Sequence, residues 1–551
     1  MMAKWWKNAI VYQIYPKSFK DSNGDGIGDL AGITEKLDYL HELGINVIWI
    51  NPIYCSPMED NGYDISDYYK VDPLFGSNED MDRLLEEAGK RDIKVLLDLV
   101  VNHCSDEHPW FQKAKADPNC EEAGYFYFKT TDDGQRPNNW RSNFGGSVWS
   151  QLPDQRWYFH TFSPKQPDLN WENPKLRKKI YEMINWWLDK GIAGFRVDAI
   201  TFIKKDLTFA SRKAEDGYLY PIENLTDYPG IEVFLSELKE KTFDRHNCMT
   251  AAEAPGVGKE TFRSYAGENG FFSMIFDFNW ESMEGEADKS AIDAVERWKN
   301  RIFQSQKFTY QNGWSGVFLE NHDQSRCVNK FLEEDCRNYF STTALAVLYF
   351  YLYGTPFIYQ GQEIGMTNLA WKTIDEMDDV RAKGMYQEAI EKGEDPSKVL
   401  KYFGELGRDN ARTPMQWENS ENAGFTTGTP WMKVNENYPA INAADQEQDP
   451  SSILSFYKKV TRLRRDPKYQ DTFAEGNFSP LYEDVPALIA YTRAKDLQTV
   501  SVIVNFKKQS QAVPLTSGTC ILNNYGSLTE KDGQMLLAPY QAVVFASVPL
   551  D

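Results

Sequence analysis

Eight short apolar runs, rich in β-branched and aromatic residues, recur along this chain and constrain its fold more than any other feature. Segments with helical periodicity lie between them, for example at 33–44, 79–92 and 176–191. Alternation of strand and helix predicts a parallel sheet, and eight such units close into a (β/α)8 TIM barrel of the α/β class. The eight runs span 9–16, 47–53, 94–103, 194–200, 248–254, 272–279, 315–323 and 355–361.

Two stretches interrupt this alternation, and a third pattern follows it. Residues 104–173 are rich in Asp, Asn, Gly, Pro and aromatic residues, which predicts a subdomain inserted after strand 3 and lying over the barrel mouth. Residues 366–436 form a second insertion, partly helical near 376–394. Beyond about 478, apolar and polar residues alternate between turns, which predicts a C-terminal antiparallel β-sandwich. The predicted domains are a barrel at 1–103 and 174–477, an inserted subdomain at 104–173 and a β domain at 478–551.

The composition restricts the class of partner. A formal net charge of −21 repels phosphate backbones and anionic membrane surfaces, so neither nucleic acid nor membrane is an expected partner. A neutral substrate feels no such repulsion. Aromatic residues make up 14% of the chain, with 16 Trp, and such rings either stack on sugars or fill a large core.

The cysteines and the N-terminus bear on location. The seven cysteines are odd in number and widely spaced, and they form no CxxC motif, which favours free thiols in a reducing compartment. The first 16 residues lack the apolar region of a signal peptide, and the longest apolar run, 342–353, is too short to span a bilayer. We therefore expect a cytoplasmic, monomeric protein.

Polar residues with catalytic potential end four of the predicted strands. Active sites of such barrels lie at the carboxyl ends of the strands, so these side chains should converge at one rim. Helix capping explains one such Asp or Asn but not a whole convergent set. The set is Asp98, Asn102 and His103 on strand 3, Arg196 and Asp198 on strand 4, Glu253 on strand 5, and Asn321, His322 and Asp323 on strand 7.

Three converging carboxylates suit glycoside hydrolysis, in which one acid attacks the anomeric carbon and a protonated one protonates the leaving oxygen. Arg196 lies two residues before Asp198, so both side chains point to one face of the strand. An adjacent arginine lowers a carboxyl pKa, which favours Asp198 as the nucleophile. Glu253 has no cation adjacent in sequence and is the better acid. Asp323 is then the third carboxylate of the set, and its expected role is to bind sugar hydroxyls.

Several motifs resemble those of the α-amylase superfamily of glycoside hydrolases, family 13. A fifth motif and the segments at 61–68, 355–366 and 408–417 are similar to its α-glucosidase and oligo-1,6-glucosidase branch. Ala251 and Ala252 depart from the usual Val–Gly before the glutamate. The motifs are DLVVNH (98–103), QPDLN (166–170), GFRVDAI (194–200), TAAEAPGV (250–257) and FLENHD (318–323).

The resemblance implies roles for individual residues. Asp198 would be the nucleophile, Glu253 the acid/base and Asp323 the transition-state stabiliser. Asp60 and Arg408 would grip the 4-OH of the terminal glucose and close the pocket, which means exo-action; without the resemblance, they would be an ordinary surface salt bridge. We expect Tyr63 to stack on the glucose and Arg196 to hold the nucleophile. The further residues that we expect to contact the substrate are His103, Phe144, Phe162, Gln166, Ala199 and His322.

The residue after the nucleophile bears on linkage. In this branch a Val there accompanies α-1,6 preference, whereas a smaller Ala or Thr accompanies α-1,4 bonds and sucrose, and this chain has Ala199. We therefore expect a retaining, exo-acting α-glucosidase that favours maltose-type bonds and sucrose, on short oligosaccharide or disaccharide substrates. The alternatives are an oligo-1,6-glucosidase, a sucrose isomerase or transglucosidase, a trehalose-6-phosphate hydrolase, and a non-catalytic transporter subunit.

Features of the sequence weigh against three of these alternatives. Sucrose isomerases carry a stretch rich in Arg and Asp after strand 6, but residues 276–285 contain no Arg. No basic cluster marks a phosphate pocket. Non-catalytic relatives lose carboxylates and gain a transmembrane helix, whereas this chain keeps all three acids.

A short acidic loop predicts a structural Ca²⁺ site. DSNGDGIGD (21–29) resembles the first nine positions of an EF-hand loop, but Gly32 stands where an EF-hand needs a bidentate Glu. Similar loops in this branch bind calcium, and the alternative is a polar turn without an ion. The predicted ligands are the side chains of Asp21, Asn23, Asp25 and Asp29 and the carbonyl of Ile27.

Overall fold

The computed structural model describes residues 4–214, 220–283 and 285–547. Eight parallel strands form a closed barrel in the order β1-β8-β7-β6-β5-β4-β3-β2. Each strand lies within one of the eight apolar runs, so the predicted barrel is confirmed. The strands are β1 (Val11–Ile14), β2 (Val47–Ile50), β3 (Lys94–Leu99), β4 (Gly194–Val197), β5 (Met249–Ala252), β6 (Met274–Phe276), β7 (Ser315–Val317) and β8 (Thr355–Tyr359).

Helices follow the strands and pack outside the barrel, where their apolar faces are buried. The helix Tyr339–Phe350 is buried from Ser341 onward, as the apolar run at 342–353 predicts. The α-helices are Leu30–Glu35, Leu37–Glu42, Asn78–Gly89, Pro109–Ala116, Pro174–Lys190, Ile231–Lys241, Phe262–Ala266, Ile292–Asn312, Cys327–Phe331, Tyr339–Phe350, Val380–Glu391, Pro396–Leu406, Asp409–Arg412, Ala443–Gln448, Ile453–Arg465 and Gln470–Glu475.

The register of β3, β4 and β5 sets up the site. Arg196 on β4 lies opposite Asp98 on β3, so a cation and a carboxylate share one level of the barrel. Gly194, which begins β4, has a φ of +143°, and a Cβ there would come within 1.8 Å of the Met249 carbonyl oxygen. Only glycine therefore permits this close approach of β4 to β5.

The stretch after β3 forms small sheets above the barrel mouth. Strands Phe128–Lys129, Trp149–Gln151 and Trp157–Phe159 make one antiparallel sheet. Trp140–Arg141 pairs instead with Tyr220–Pro221, which follows β4. Aromatic residues of this stretch share a hydrophobic cluster with Ala199 and Phe202, so the insertion packs directly on the segment after β4.

The C-terminal part is antiparallel, as predicted. Five strands are arranged in the order β9-β10-β11-β13-β12, and Gln511–Pro514, Gln534–Leu537 and Thr529–Lys531 form a second sheet. Tyr491 and Arg493 on β10 donate hydrogen bonds to carbonyls at Leu348, Tyr351 and Leu352, which joins this domain to the barrel. Residues 548–551 lie outside the described part. The five strands are β9 (Asn477–Leu481), β10 (Leu488–Lys495), β11 (Gln498–Asn505), β12 (Thr519–Asn523) and β13 (Ala542–Ser547).

Among the described residues, no helix combines the length and apolar character needed to cross a membrane.

Candidate active site

A cavity of about 370 Å³ lies at the carboxyl ends of the barrel strands. Ten of its lining residues were predicted from the sequence, and five were not. The predicted ones are Asp60, Tyr63, His103, Phe144, Phe162, Asp198, Ala199, Glu253, Asp323 and Arg408. The others are Asn143, Phe202, Glu223, Pro255 and Arg381.

The floor of this cavity is organised by Arg196. Its Nη1 donates to Asp98 at 2.7 Å and to Asp198 at 2.6 Å. Its Nη2 donates to Glu253 at 2.7 Å, so one guanidinium joins the two acids proposed for catalysis. Arg196 is buried, and such charge-assisted bonds fix carboxylate positions strongly. Arg196 therefore holds the nucleophile candidate, as expected, and the acid candidate as well.

The pKa argument from sequence is only half right. Burial raises the pKa of Asp198 well above its ordinary value; Arg196 lowers it, and the neighbouring Glu253 carboxylate raises it further. Because Arg196 also contacts Glu253, the nearby cation does not distinguish the two acids. The two side chains differ in exposure, at 10% for Asp198 and 29% for Glu253, but this difference does not assign the proton either, because burial favours the protonated form of Asp198.

Asp323 lies beside two arginines and a histidine. Arg412 Nη2 approaches its Oδ1 at 2.9 Å and Arg408 Nη1 at 3.5 Å, and His322 Nε2 lies 3.0 Å from its other oxygen. Burial opposes ionisation, but these three neighbours hold the pKa of Asp323 well below its usual range. Asp323 is therefore a permanent negative charge at neutral pH.

Two predicted histidines are neutral at neutral pH. Burial lowers the pKa of His103 to about 4 and that of His322 to about 3. His103 lines the cavity, whereas the His322 ring stacks behind Tyr63, with the ring centroids 5.4 Å apart. Tyr63 and His322 also hydrogen bond through Oη and Nε2 at 2.7 Å. His322 thus supports the Tyr63 side chain from behind the cavity wall.

Gln166 also lies behind the wall, where it is fully buried. Its Nε2 donates to Asp60 Oδ2 at 3.2 Å and lies 3.3 Å from His103 Nε2. In the structure it therefore orients two lining side chains.

Asp60 and Arg408 form an ion pair that is buried, not an ordinary surface salt bridge. Arg408 Nη2 lies 3.0 Å from Asp60, and the two side chains are 11% and 7% exposed. Asp379 holds the other side of the guanidinium, accepting from Nε at 2.7 Å. The guanidinium also stands 5.3 Å from the centre of the Phe144 ring. This pair closes one side of the cavity.

Aromatic side chains form much of the remaining wall. The Phe144 and Phe162 rings meet edge to face at 5.4 Å, and Phe162 contacts His103 and Phe202 in the same way. Ala199 is buried beside them with a φ of +42°, a left-handed conformation unusual for a residue with a Cβ. The segment after the nucleophile candidate is therefore held in a strained conformation by its surroundings.

The five lining residues that the sequence did not predict come mainly from insertions and short elements. Phe202 ends the 3₁₀ turn Ile200–Phe202, Glu223 lies on Ile222–Leu225, and Arg381 lies in the first turn of Val380–Glu391. These three positions do not lie at the end of a barrel strand, where catalytic residues are expected. Only the packing of the insertions against the barrel brings them to the cavity.

The acidic loop is closed by its own hydrogen bonds. The Asp25 side chain accepts the backbone N–H of Ile27, and the Asn23 side chain accepts the backbone N–H of Asp25. Both side chains keep free lone pairs. Asp29 caps a helix through Gly32 and accepts two bonds from Ser22. Asp21 accepts from the backbone of Asn23, Gly24 and Gly26 and from the Thr426 hydroxyl.

A carboxylate offers about four acceptor positions, so Asp21 is saturated and the five predicted ligands do not form a ready cage. Within residues 4–214, 220–283 and 285–547, no group of three or more His, Cys, Asp or Glu side chains is arranged to hold a metal ion. Calcium binding therefore stays a prediction, and no step of the chemistry depends on it.

Curated proteins resemble the whole chain. "Probable oligo-1,6-glucosidase 3" of Bacillus subtilis is 43% identical, with 99% of this chain and 100% of that protein covered. The oligo-1,6-glucosidase of Bacillus cereus is 41% identical over 99% of this chain and 100% of its own length.

Solved structures also match over nearly the whole chain. The trehalose-6-phosphate hydrolase of Bacillus licheniformis has a TM-score of 0.90 and 38% identity, covering 99% of this chain and 100% of that one. The trehalulose synthase of Pseudomonas mesoacidophila has a TM-score of 0.92 and 38% identity, covering 98% and 99%. Family comparison matches the "Alpha amylase, catalytic domain" at residues 13–472 and the "Alpha-amylase SusG C-terminal domain" at 488–544. The chain therefore belongs to the α-amylase family of glycoside hydrolases, family 13.

Proposed function

We propose that this enzyme is a retaining, exo-acting α-glucosidase that releases glucose from the non-reducing end of short oligosaccharides, with α-1,6 bonds as its main target. The observation that carries the proposal is the Arg196 guanidinium, which contacts both Asp198 and Glu253 at the floor of a cavity closed on one side by Asp60 and Arg408. Two acids within the span of one guanidinium suit direct attack better than attack through an intervening water.

Asp198 attacks the anomeric carbon while Glu253 gives its proton to the leaving oxygen, which breaks the glycosidic bond and leaves a glucosyl ester on Asp198. Glu253, now ionised, takes a proton from water, which then hydrolyses the ester with net retention. Asp323 stays ionised and stabilises the positive charge that develops in both transition states. Arg196 keeps both acids in position during this exchange.

The exo mode follows from the Asp60–Arg408 pair. Its charged groups can accept from and donate to a terminal hydroxyl, and the closed wall leaves no room for further sugars beyond it. The neutral His103 ring, beside Asp60 and Gln166, offers another hydroxyl contact at neutral pH. A chain end therefore fits this pocket, whereas the middle of a polysaccharide does not.

The linkage proposal departs from the expectation drawn from Ala199. The relatives carry the name oligo-1,6-glucosidase, so the α-1,4 expectation is not confirmed and the α-1,6 alternative is better supported. An α-1,4 activity remains the second candidate because Ala199 lines the cavity next to the nucleophile candidate. Ala in place of Val at this position changes the discrimination between the two linkages by only about 1–3 kcal/mol, so we expect the enzyme to cut both bonds.

Initial rates on isomaltose, maltose, sucrose and trehalose test the proposal, with proton NMR recording the anomer of the first product. We expect the highest kcat/KM on isomaltose and α-glucose as the first product. β-Glucose as the first product would reject the retaining mechanism. A maltose rate well above that on isomaltose would favour the second candidate.

A further inference from the structure

Seven charged residues line the cavity, and five of them are already paired. Asp60 binds Arg408, Asp198 and Glu253 bind Arg196, and Asp323 lies against Arg412 and Arg408. In the described part of the chain, the side chains of Glu223 and Arg381 form no hydrogen bond or ion pair, and both are exposed. Two opposite charges thus face one cavity without neutralising each other or any neighbour.

Both residues are fixed to the catalytic floor through buried neighbours. Glu223 stands between Ile222 and Leu225, which are buried in the same hydrophobic cluster as Ala199 and Phe202. The wall that carries Glu223 is therefore continuous with the residue that follows the nucleophile candidate.

Arg381 is fixed from the other side. Asp379 Oδ1 accepts the Arg381 backbone N–H at 2.9 Å, which caps the helix Val380–Glu391, and the same oxygen accepts from Arg408 Nε at 2.7 Å. The helix also packs on the inserted subdomain, because Gly384 lies against the Phe144 carbonyl. The position of Arg381 is thus set by the group that positions Arg408.

We propose that Glu223 and Arg381 are specificity-determining residues that bind the hydroxyl groups of the leaving sugar. The proposal rests on the function proposed above, in which glucose occupies the floor. When glucose lies between Asp60 and Asp198, the leaving group must occupy the outer part of the cavity, where these two exposed side chains lie. Within the described part of the chain, neither side chain is paired with a floor residue, so both are available to bind the leaving sugar.

The opposite charges define the chemistry of the ligand. A hydroxyl can donate to the Glu223 carboxylate and accept from the Arg381 guanidinium, and a sugar offers several hydroxyls. A phosphate only accepts, so it could bind Arg381 but would be repelled by Glu223. A nitrophenyl leaving group has no donor for Glu223, and its nitro oxygens are only weak acceptors for Arg381. The pair therefore favours a neutral sugar as the leaving group.

The test compares leaving groups in Arg381→Ala, Glu223→Gln and the double variant. For each, kcat/KM is measured on isomaltose and maltose, whose leaving group is glucose, and on p-nitrophenyl α-glucoside, whose leaving group has no hydroxyl. Loss of a hydrogen bond to a charged group is expected to lower kcat/KM on the disaccharides about tenfold. The aryl glucoside rate should change less than about twofold, since the chemistry and the glucose pocket are intact.

Lys383→Ala is the matched control, because Lys383 is exposed on the same helix and does not line the cavity. It should leave every rate unchanged. If both substrate classes fall equally, or neither falls, the two residues do not bind the leaving sugar. A parent enzyme that hydrolyses no α-glucoside rejects the proposed function itself, and this inference with it. An active parent with unchanged ratios in all variants rejects the inference alone.

Discussion

Arg196 illustrates how one side chain can serve several acids at once. It contacts Asp98, Asp198 and Glu253, so neutralising any one of them alters the field felt by the other two. Mutation of a single acid is informative only when the shape of the site is kept. Replacement of a carboxylate by the isosteric amide meets this condition.

Asp198→Asn should lower kcat by several orders of magnitude, because an amide cannot form the glucosyl ester. Thermal unfolding and circular dichroism should show an intact fold. The control is Asp154→Asn, since Asp154 is exposed and its carboxylate pairs with Arg156, outside the cavity lining. Undiminished hydrolysis by Asp198→Asn would reject this residue as the nucleophile.

Ala199→Val should raise the isomaltose-to-maltose ratio of kcat/KM by about tenfold, a methylene-sized effect. Valine is disfavoured at the φ of +42° found here, so some loss of stability is also expected. The ratio of two substrates on one variant is independent of the folded fraction, which separates the two effects. An unchanged ratio would show that this position does not set the linkage.

The candidate site could be predicted where a strand-end position or a motif identified the residue. Asp198, Glu253 and Asp323 were found in this way, and the cavity contains all three. Their proton affinities could not be predicted, because burial dominates the pKa of Asp198 and burial is a property of the folded molecule. For the same reason, the sequence could not predict that Gln166 and His322 are buried behind the cavity wall.

Among the secondary-structure elements, the helix Pro109–Ala116 offers a pH-dependent test. His108 caps it by accepting the Trp110 N–H at 3.1 Å, and burial lowers the pKa of His108 to about 3. The unfolded chain has the ordinary histidine value of about 6.5. The folded state therefore binds fewer protons below pH 6.5, and its stability falls as the pH falls through this range.

His108→Asn should keep the cap, because asparagine is a good N-cap residue, and should remove this titration. Between pH 7 and pH 4.5, the parent is expected to lose roughly 2–3 kcal/mol more free energy of unfolding than the variant. Urea unfolding at the two pH values measures the difference. Equal losses in both proteins would show that His108 does not titrate as described.

Strands and long helices could be predicted because their periodicity reflects burial on one face, and all eight barrel strands were found. The helix that carries Arg381 was predicted near 376–394, but its place relative to the strands could not be predicted from periodicity, and nor could the four-residue 3₁₀ helix that carries Glu223. Their position depends on tertiary contacts, such as that of Asp379 with Arg408.

Considering the molecule as a whole, the acidic loop joins the start of the chain to the second insertion. Asp21 bonds to Thr426, and a Cβ at Gly26 would come within 1.9 Å of the Thr429 carbonyl oxygen. We expect Ca²⁺ to bind here, but weakly, because it must replace hydrogen bonds that Asp21 already accepts. Millimolar calcium should then raise the Tm by a few degrees relative to chelator.

The control is Asp25→Ala, which removes a predicted ligand that makes only one hydrogen bond in the loop. The calcium-dependent rise in Tm should disappear in this variant. The same rise in parent and variant would place the ion elsewhere, and no rise in the parent would leave the loop as a turn without a metal.

Closure of the barrel has a consequence for biosynthesis. β1 pairs with β8, with Val11 opposite Phe357, so the first strand made waits for the last. At about 5–20 residues per second, a ribosome needs on the order of tens of seconds to make the intervening chain. During that time β1 lacks one neighbour and exposes a row of unpaired backbone groups, which can join strands of other nascent chains. Production of this enzyme should therefore depend on chaperones far more than its finished, edgeless barrel suggests.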